Sequence, residues 1–226
     1  MRLATYNIHA CIGNDGRFNP ARILDVLLRL DADVIGLQEV EARPHGGSDV
    51  LAYLASSTAM SCIAGPTLER ANGNYGNALL TRLPIREIQR FDLSATGQEP
   101  RGGLDVDIEW NSTPVRVINT HLGLRSRERS SQMDALLARV RSRQGGQLAL
   151  LGDFNEWFPW SRPLTRLRRF FGALSAPASY PARWPLCALD RIWLHNYRSI
   201  GRVKAVNTAM TRTASDHLPV CVDVEW

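Results

Sequence analysis

The sequence predicts an α/β fold in which two sheets pack together with helices outside. Short apolar runs, Val34-Ile35-Gly36-Leu37 and Leu148-Ala149-Leu150-Leu151, read as buried strands. Stretches with apolar residues at helical spacing lie between strands and serve as crossovers. Other segments alternate apolar and polar residues with period two, as antiparallel strands do. Crossovers mixed with hairpins favour two packed sheets over one parallel sheet. The chain has 226 residues, 44% hydrophobic and 22% charged, which suits one globular domain over 1–226. No composition shift or internal repeat divides it.

In chain order, Arg2 to His9 forms a first strand that runs out at Asn7 and His9. Asn19-Pro20 starts a helix, an amide cap followed by proline at the first helical position. Ile23, Leu24, Leu27 and Leu28 share one of its faces, and the strand Val34–Leu37 then delivers Gln38 and Glu39. This strand–helix–strand unit suggests a βαβ-like opening. Asp49 to Ala55 is a short helix and Ser61 to Ala64 a strand. Asn72-Gly73-Asn74-Tyr75-Gly76-Asn77 reads as a turn-rich loop before the strand Ala78–Thr81. Leu104, Val106, Ile108 and Trp110, then Val115 and Val117, mark half-buried antiparallel strands. Ser126 caps a helix with Met133, Leu136, Leu137 and Val140 on one face. The strand Leu148–Leu151 follows; Gly152 lets the backbone turn and Asp153 and Asn155 project from its end. Leu164, Leu167, Phe170 and Phe171 form a second helical stripe, interleaved with Arg162, Arg166, Arg168 and Arg169. A strand from Leu189 to Leu194 carries Asp190, and Ser215-Asp216-His217 leads into a closing strand through Leu218, Val220, Val222 and Val224.

The cysteines, Cys11, Cys62, Cys187 and Cys221, form no C-x-x-C pair, so a zinc site is disfavoured and reduced thiols are expected. The formal net charge of +5 permits attraction to phosphate-rich partners, and solubility explains it equally well. No basic segment followed by an apolar one opens the chain, and no apolar run is long enough to span a bilayer. The expectation is a cytoplasmic, monomeric protein.

The chemistry gathers at predicted strand ends and loops: Asn7, Glu39, His121, Asp153 with Asn155, Asp190, and Asp216 with His217. In α/β folds, sites collect at such ends. Carboxylates and amides are hard oxygen donors that suit Mg²⁺ or Mn²⁺ rather than thiophilic metals. Two histidines among carboxylates can act as charged hydrogen-bond donors or as proton acceptor and donor. Each residue alone also fits an ordinary turn, a solvated loop or, for Asp190-Arg191, a local ion pair. Their joint placement at strand ends favours one site.

The motifs Thr5-Tyr6-Asn7-Ile8-His9, Leu37-Gln38-Glu39-Val40, Gly76-Asn77-Ala78-Leu79-Leu80, Asn119-Thr120-His121-Leu122, Gly152-Asp153-Phe154-Asn155, Leu189-Asp190-Arg191-Ile192 and Ser215-Asp216-His217 occur in an order that resembles the endonuclease/exonuclease/phosphatase, or DNase-I-like, superfamily of metal-dependent phosphoesterases. The resemblance implies a four-layer α/β/β/α sandwich with two mixed sheets and the site at one edge of both. It implies Glu39 as main ligand of a divalent cation, with Asn7 beside it and Asp216 assisting. It implies Asp153 as the group that orients and deprotonates water, Asn155 as its support, and His217 as a donor to a non-bridging phosphate oxygen, held charged by Asp190. His121 would donate to the phosphate or help the leaving oxygen. Tyr75, Asn77, Arg101 and Trp157 are the substrate-contacting candidates. Two departures stand out. His9 replaces the Asp that some members carry two residues after the first Asn, and the His121 motif resembles secreted nucleases, sphingomyelinases and inositol phosphatases rather than abasic-site endonucleases. Within that set, Pro100-Arg101-Gly102-Gly103 and the Tyr180–Pro185 stretch look most like small bacterial phosphodiesterases.

Two substrate classes stay open. Arginines in the 125–129 stretch could contact a nucleic-acid backbone, although Arg127 and Arg129 also fit a solvated helix face. The aromatic run Trp157-Phe158-Pro159-Trp160 leads into a basic amphipathic helix, so the 157–171 segment is a candidate membrane contact, or its stripe packs on a sheet. The expectation leans to a phospholipid-like or other small phosphodiester, with a nuclease as alternative. A non-catalytic phosphate-binding module on the same fold is the reading of another class.

Overall fold

A computed structural model describes residues 1–71, 73–143 and 145–226. In chain order the elements are β1 (Arg2–Asn7), α1 (Pro20–Leu30), β2 (Val34–Glu41), β3 (Pro44–His45), β4 (Ser48–Asp49), α2 (Val50–Thr58), β5 (Ser61–Arg70), β6 (Gly73–Thr81) and β7 (Ile85–Asp92). They continue with β8 (Gly102–Trp110), β9 (Thr113–His121), α3 (Ser126–Arg141), β10 (Gln147–Asp153), α4 (Arg162–Phe171), β11 (Asp190–His195), β12 (Ser199–Ile200), β13 (Lys204–Ala205), α5 (Ala209–Ala214) and β14 (Val220–Glu225). One sheet runs β12-β14-β1-β2-β6-β5, with β13 also on β14; the other runs β11-β10-β9-β8-β7.

Each sheet holds one parallel pair, β1 with β2 and β9 with β10, and its other long neighbours are antiparallel. A parallel pair needs a crossover, and α1 and α3 supply the two. Side chains along these strands alternate between cores. Leu3, Val34, Leu104, Val106, Ala149, Leu151 and Val222 fill the space between the sheets. Ala4, Tyr6, Ile35 and Leu37 meet α1 and α2, while Leu148 and Leu150 meet Met133, Leu136, Leu164 and Leu167 of α3 and α4. The continuous apolar run at 148–151 follows from burial on both faces. The result is the expected α/β/β/α order of layers.

Asn19 caps α1, its side chain accepting the Arg22 N–H at 3.2 Å. Asp49 caps α2 in the same way, accepting from Ala52. Ser126 proves to be the first helical residue of α3; the cap position is Arg125, whose N–H reaches the Glu128 carboxylate. The 73–77 segment is strand rather than loop: pairing with β5 extends it despite its turn-forming residues. Asn72 lies outside the described residues. The strands around 104–110 are buried on both faces, not half-buried. Their polar positions, Asp105 and Asp107, face the helix layer and pair with Arg116, Arg139 and Arg143. Strand β7 has no counterpart in the sequence reading, because an exposed edge strand rich in charge carries little apolar pattern. The stripe on α4 packs on the sheet, with Leu164, Leu167 and Phe171 buried. The exposed part of 157–171 is therefore its aromatic loop.

Gly152 sits inside β10 rather than at a turn. Its φ is +147°, and a Cβ there would meet the Thr120 carbonyl oxygen at 2.0 Å. Glycine is what allows β9 and β10 to close this tightly just before Asp153.

Candidate active site

The C-terminal ends of the two parallel pairs meet at one edge of the sandwich. From the first pair come Asn7, last residue of β1, and Glu39 of β2. The pairing of β2 with β6 shifts register between Leu37 and Val40, and Glu39 lies at that irregularity with φ +54°. A bulge of this kind re-aims a side chain. From the second pair come His121 and Asp153, directly opposite each other in register. Strand β11 adds Asp190, register partner of Asp153. The segment before β14 adds Asp216 and His217, and Ser215 Oγ pins it by donating to the Asn7 carbonyl at 2.8 Å. Beneath the site a buried polar network joins the sheets. Gln38 Nε2 donates to Asn119 Oδ1 at 2.7 Å and bonds Thr5, and Asn119 Nδ2 donates to the Leu37 and Ala78 carbonyls.

Asp153 is at the centre and almost fully buried. Asn7 Nδ2 donates to Asp153 Oδ2 at 3.1 Å and to Glu39 Oε1 at 2.9 Å, bridging the two carboxylates. The Asn7 oxygen meanwhile accepts the His9 N–H at 3.0 Å. Asn7 thus spaces the two carboxylates, and its oxygen keeps a second lone pair. The Asn155 N–H donates to Asp153 Oδ1 at 2.9 Å, and the Asn155 amide donates to the Leu122 carbonyl.

The two histidines differ in charge. His217 Nδ1 is 2.8 Å from Asp190 Oδ2, and its Nε2 is 3.7 Å from Asp153 Oδ2. Burial opposes its charge, but Asp190, Asp153, the hydrogen bond to Asp190 and Asp216 together outweigh that and raise its pKa to about 10. Asp190 is therefore no surface partner of Arg191, which lies one position on with its guanidinium also buried. Ser179 Oγ completes the Asp190 side by donating to Oδ2 at 2.6 Å. His121 meets Arg101, whose Nη1 lies 3.0 Å from Nδ1. Burial, Arg101 and His217 push its pKa well below the usual histidine range, so it is neutral. Arginine has only donors, and the Asn155 Nδ2 donor lies 3.0 Å from Nε2, so the ring is held between two donors and, being neutral, accepts from only one of them. Nε2 is 3.5 Å from Asp153 Oδ2. One ring is thus charged and the other neutral. Burial, with Asp190 adding to it against His217, Asn155 and Asn7, raises the Asp153 carboxyl to about 6.

Glu39, Tyr75, Arg101, His121, Asp153, Asn155, Trp157, Asp216 and His217 all line one cavity of about 290 Å³. Asn77 departs from that group: its amide donates to the Gly102 carbonyl at 3.0 Å, tying β6 to β8. Tyr180, Leu124, Leu189 and Glu99 line the cavity without having been expected there. Tyr180 lies between Trp157, which it meets edge-on, and His217, with ring centroids 5.6 Å and 4.8 Å away. It and Ser179 belong to a long irregular stretch between α4 and β11, where no periodicity marks function; the signals for Tyr180 were its ring and the resemblance of the Tyr180–Pro185 stretch. A larger cavity of about 430 Å³ lies at the far end of β10, beside Gln147, Phe170 and His195, and holds none of these groups.

A divalent cation fits one part of the cavity and not another. Asp153, Asp190 and His217 lie within 4.8 Å of one another, but the imidazole is held by both carboxylates and protonated, which leaves it no lone pair for a metal. Glu39 and Asp216 are the more solvent-facing carboxylates, with side chains 23% and 30% exposed, and they offer the hard oxygens such an ion takes.

The layers and this site define a class: phosphoester-cleaving sandwiches that work at the edge between two sheets. The sequence matches the model of the Endonuclease/Exonuclease/phosphatase family over residues 4–217. The chain belongs to the endonuclease/exonuclease/phosphatase family. Members of this superfamily are hydrolases acting on phosphoesters and are generally dependent on divalent metals. A relative from Escherichia coli K12, uncharacterized protein YbhP, is 30% identical over 243 positions, covering 99% of this chain and 96% of its own. Among solved structures, a mannosyl-6-phosphatase from Bacteroides thetaiotaomicron superposes with a TM-score of 0.82 at 15% identity, each chain fully covered. The Beutenbergia cavernae endonuclease/exonuclease/phosphatase gives 0.81 at 22% identity, covering all of this chain and 71% of that one. The human Nocturnin catalytic domain with bound sulfate gives 0.78 at 21%, covering all of this chain and 93% of its own.

Proposed function

We propose that this chain is a divalent-metal-dependent phosphodiesterase that hydrolyses its substrate by attack of water. The observation that carries the reading is the central carboxylate: Asp153, raised to about 6, sits beside one charged and one neutral imidazole. A carboxylate with a pKa near neutrality is ionised at working pH yet basic enough to take a proton. Asp153 orients and deprotonates the water, with Asn155 and Asn7 fixing its direction. His217 donates to a non-bridging phosphate oxygen, and Asp190 keeps it charged. His121, a neutral ring held between Arg101 and Asn155, donates to the phosphate or helps the leaving oxygen. Tyr75, Arg101 and Trp157 bound the space for the substituents. Glu39 and Asp216 would hold Mg²⁺ or Mn²⁺, which when bound neutralises charge at the phosphorus.

A small or lipid-like diester is favoured over a polymer, because Arg129, a candidate backbone contact, is buried against Glu156 and the Gly123 and Leu124 carbonyls. The test is a panel of mono- and diesters, inositol phosphates, phospholipids and nucleic acids, each with Mg²⁺ and with chelator. Turnover of a diester that chelation abolishes, and that Asp153→Asn lowers by ~10²–10⁴, supports the reading. Binding of phosphoesters without turnover of any would replace it with a non-catalytic module.

A further inference from the structure

Leu124, Trp157 and Tyr180 line the cavity, and the segments that carry Trp157 and Tyr180 hold further apolar side chains that stand exposed among the described residues. Leu124 on one side is 67% exposed. The loop after Asn155 presents Trp157, Phe158 and Trp160, the last 76% exposed, with Phe158 and Trp160 rings 5.7 Å apart. Tyr180, which meets Trp157 edge-on, starts a hairpin closed by Leu186 and Cys187 N–H bonds to its carbonyl. That hairpin lifts Trp184 and Leu186 to 78% and 81% exposure. Monomeric soluble proteins seldom leave such side chains clustered in water. The chain segments that carry them are basic, while Glu99 lines the cavity and Asp134 pairs with Arg166. From Trp157 to Leu189 the sequence holds five arginines, Arg162, Arg166, Arg168, Arg169 and Arg183, and no acidic residue. Arg125 and Arg127 flank Leu124 and are exposed.

We infer that these exposed segments form a docking surface for an anionic phospholipid bilayer, which presents headgroup phosphodiesters to the cavity. The inference rests on the phosphodiesterase reading for what happens after docking, but docking itself is independent of turnover. Tryptophans seat at the headgroup level and arginines pair with lipid phosphates. Aromatics alone would also suit stacked nucleobases. Leu124 and Leu186 have no π face to stack, and two aliphatic side chains this exposed match hydrocarbon rather than bases. The surface differs from the α4 stripe, which is occupied by the sheet.

The experiment measures flotation with vesicles of phosphatidylglycerol and of phosphatidylcholine, with no metal added, alongside binding to single-stranded DNA. Intact protein should float with phosphatidylglycerol vesicles and much less with phosphatidylcholine, and its tryptophan emission should shift to the blue. The variant Trp160→Ser/Trp184→Ser/Leu186→Ser should lose roughly tenfold or more of that partitioning, while its turnover of a soluble chromogenic diester stays within about twofold. A milder Leu186→Gln, at a side chain too exposed to support folding, should lose part of it. The inference is overturned if the intact protein ignores anionic vesicles, if the triple variant floats as well as the original, or if the substitutions abolish DNA binding instead. Vesicle binding without any diester turnover would keep the docking surface and remove the phosphodiesterase reading.

Discussion

Asp153 and His217 need opposite protonation states, and the structure separates them. Asp153 must lose its proton, so activity rises as pH increases through about 6. His217 must keep its proton, so activity falls as pH passes about 10. The pH–rate profile on a soluble diester is therefore a broad bell, and a bound cation, by its charge, moves both limbs to lower pH. Asp190→Asn removes the largest favourable influence on the imidazolium and leaves burial to oppose it. The alkaline limb should drop by more than one pH unit, with the acid limb moving less; an alkaline limb that stays in place would break the Asp190–His217 pairing. Glu39→Gln keeps shape and removes a ligand charge. It should raise the Mg²⁺ concentration for half-maximal rate by roughly tenfold or more, read from a metal titration, and unchanged metal dependence would move the cation elsewhere. The carboxylates and histidines were legible in the sequence because their residue types stood at strand ends. The neutral state of His121 was not, since it depends on burial and on Arg101 arriving from the segment before β8.

At the level of elements, the first parallel pair and its crossover were readable from apolar runs around a helical stripe with a clear cap at Asn19. The β9–β10 pair was not, because β9 alternates like an antiparallel strand, and the α3 cap lies one residue before Ser126. Strands β6 and β7 were not readable either. One is written in glycine and asparagine and is extended by its neighbour, and the other is an exposed edge. The β9–β10 closure shows what an element asks of one residue. In Gly152→Ala the new methyl would clash with the Thr120 carbonyl, on a backbone that L-residues rarely adopt. The expected loss is ~2–4 kcal/mol of unfolding free energy, measured by urea denaturation. Asp153 would also be displaced, so diester turnover should fall by more than the folded fraction does.

Across the whole molecule, the site is divided between two sheets, and the Thr5–Gln38–Asn119 network fixes how they sit. Gly36 lets them approach, since a Cβ there would meet Leu151 Cδ1 at 2.0 Å and Asn119 Oδ1 at 2.7 Å. Asn119→Ala would leave the Gln38 amide with Thr5 alone and remove the side-chain donor to the Leu37 and Ala78 carbonyls. The expected cost is ~2–4 kcal/mol, with a lower Tm; a Tm within one degree of the original would show that water replaces the amide. The order of the layers was legible in the motifs, but the contacts between sheets were not, because they join residues far apart in the chain. The Met1 amino group donates to the Val224 carbonyl at 2.9 Å, and β14 lies directly beside β1. Asp216 and His217 thus reach the cavity only once the last strand has docked against the first. Pairing of the chain's two ends is of the longest range and is costly in loop closure, so the complete site is expected late in folding. During refolding, the return of enzymatic turnover should coincide with the final structural phase, and earlier compact species should be inert.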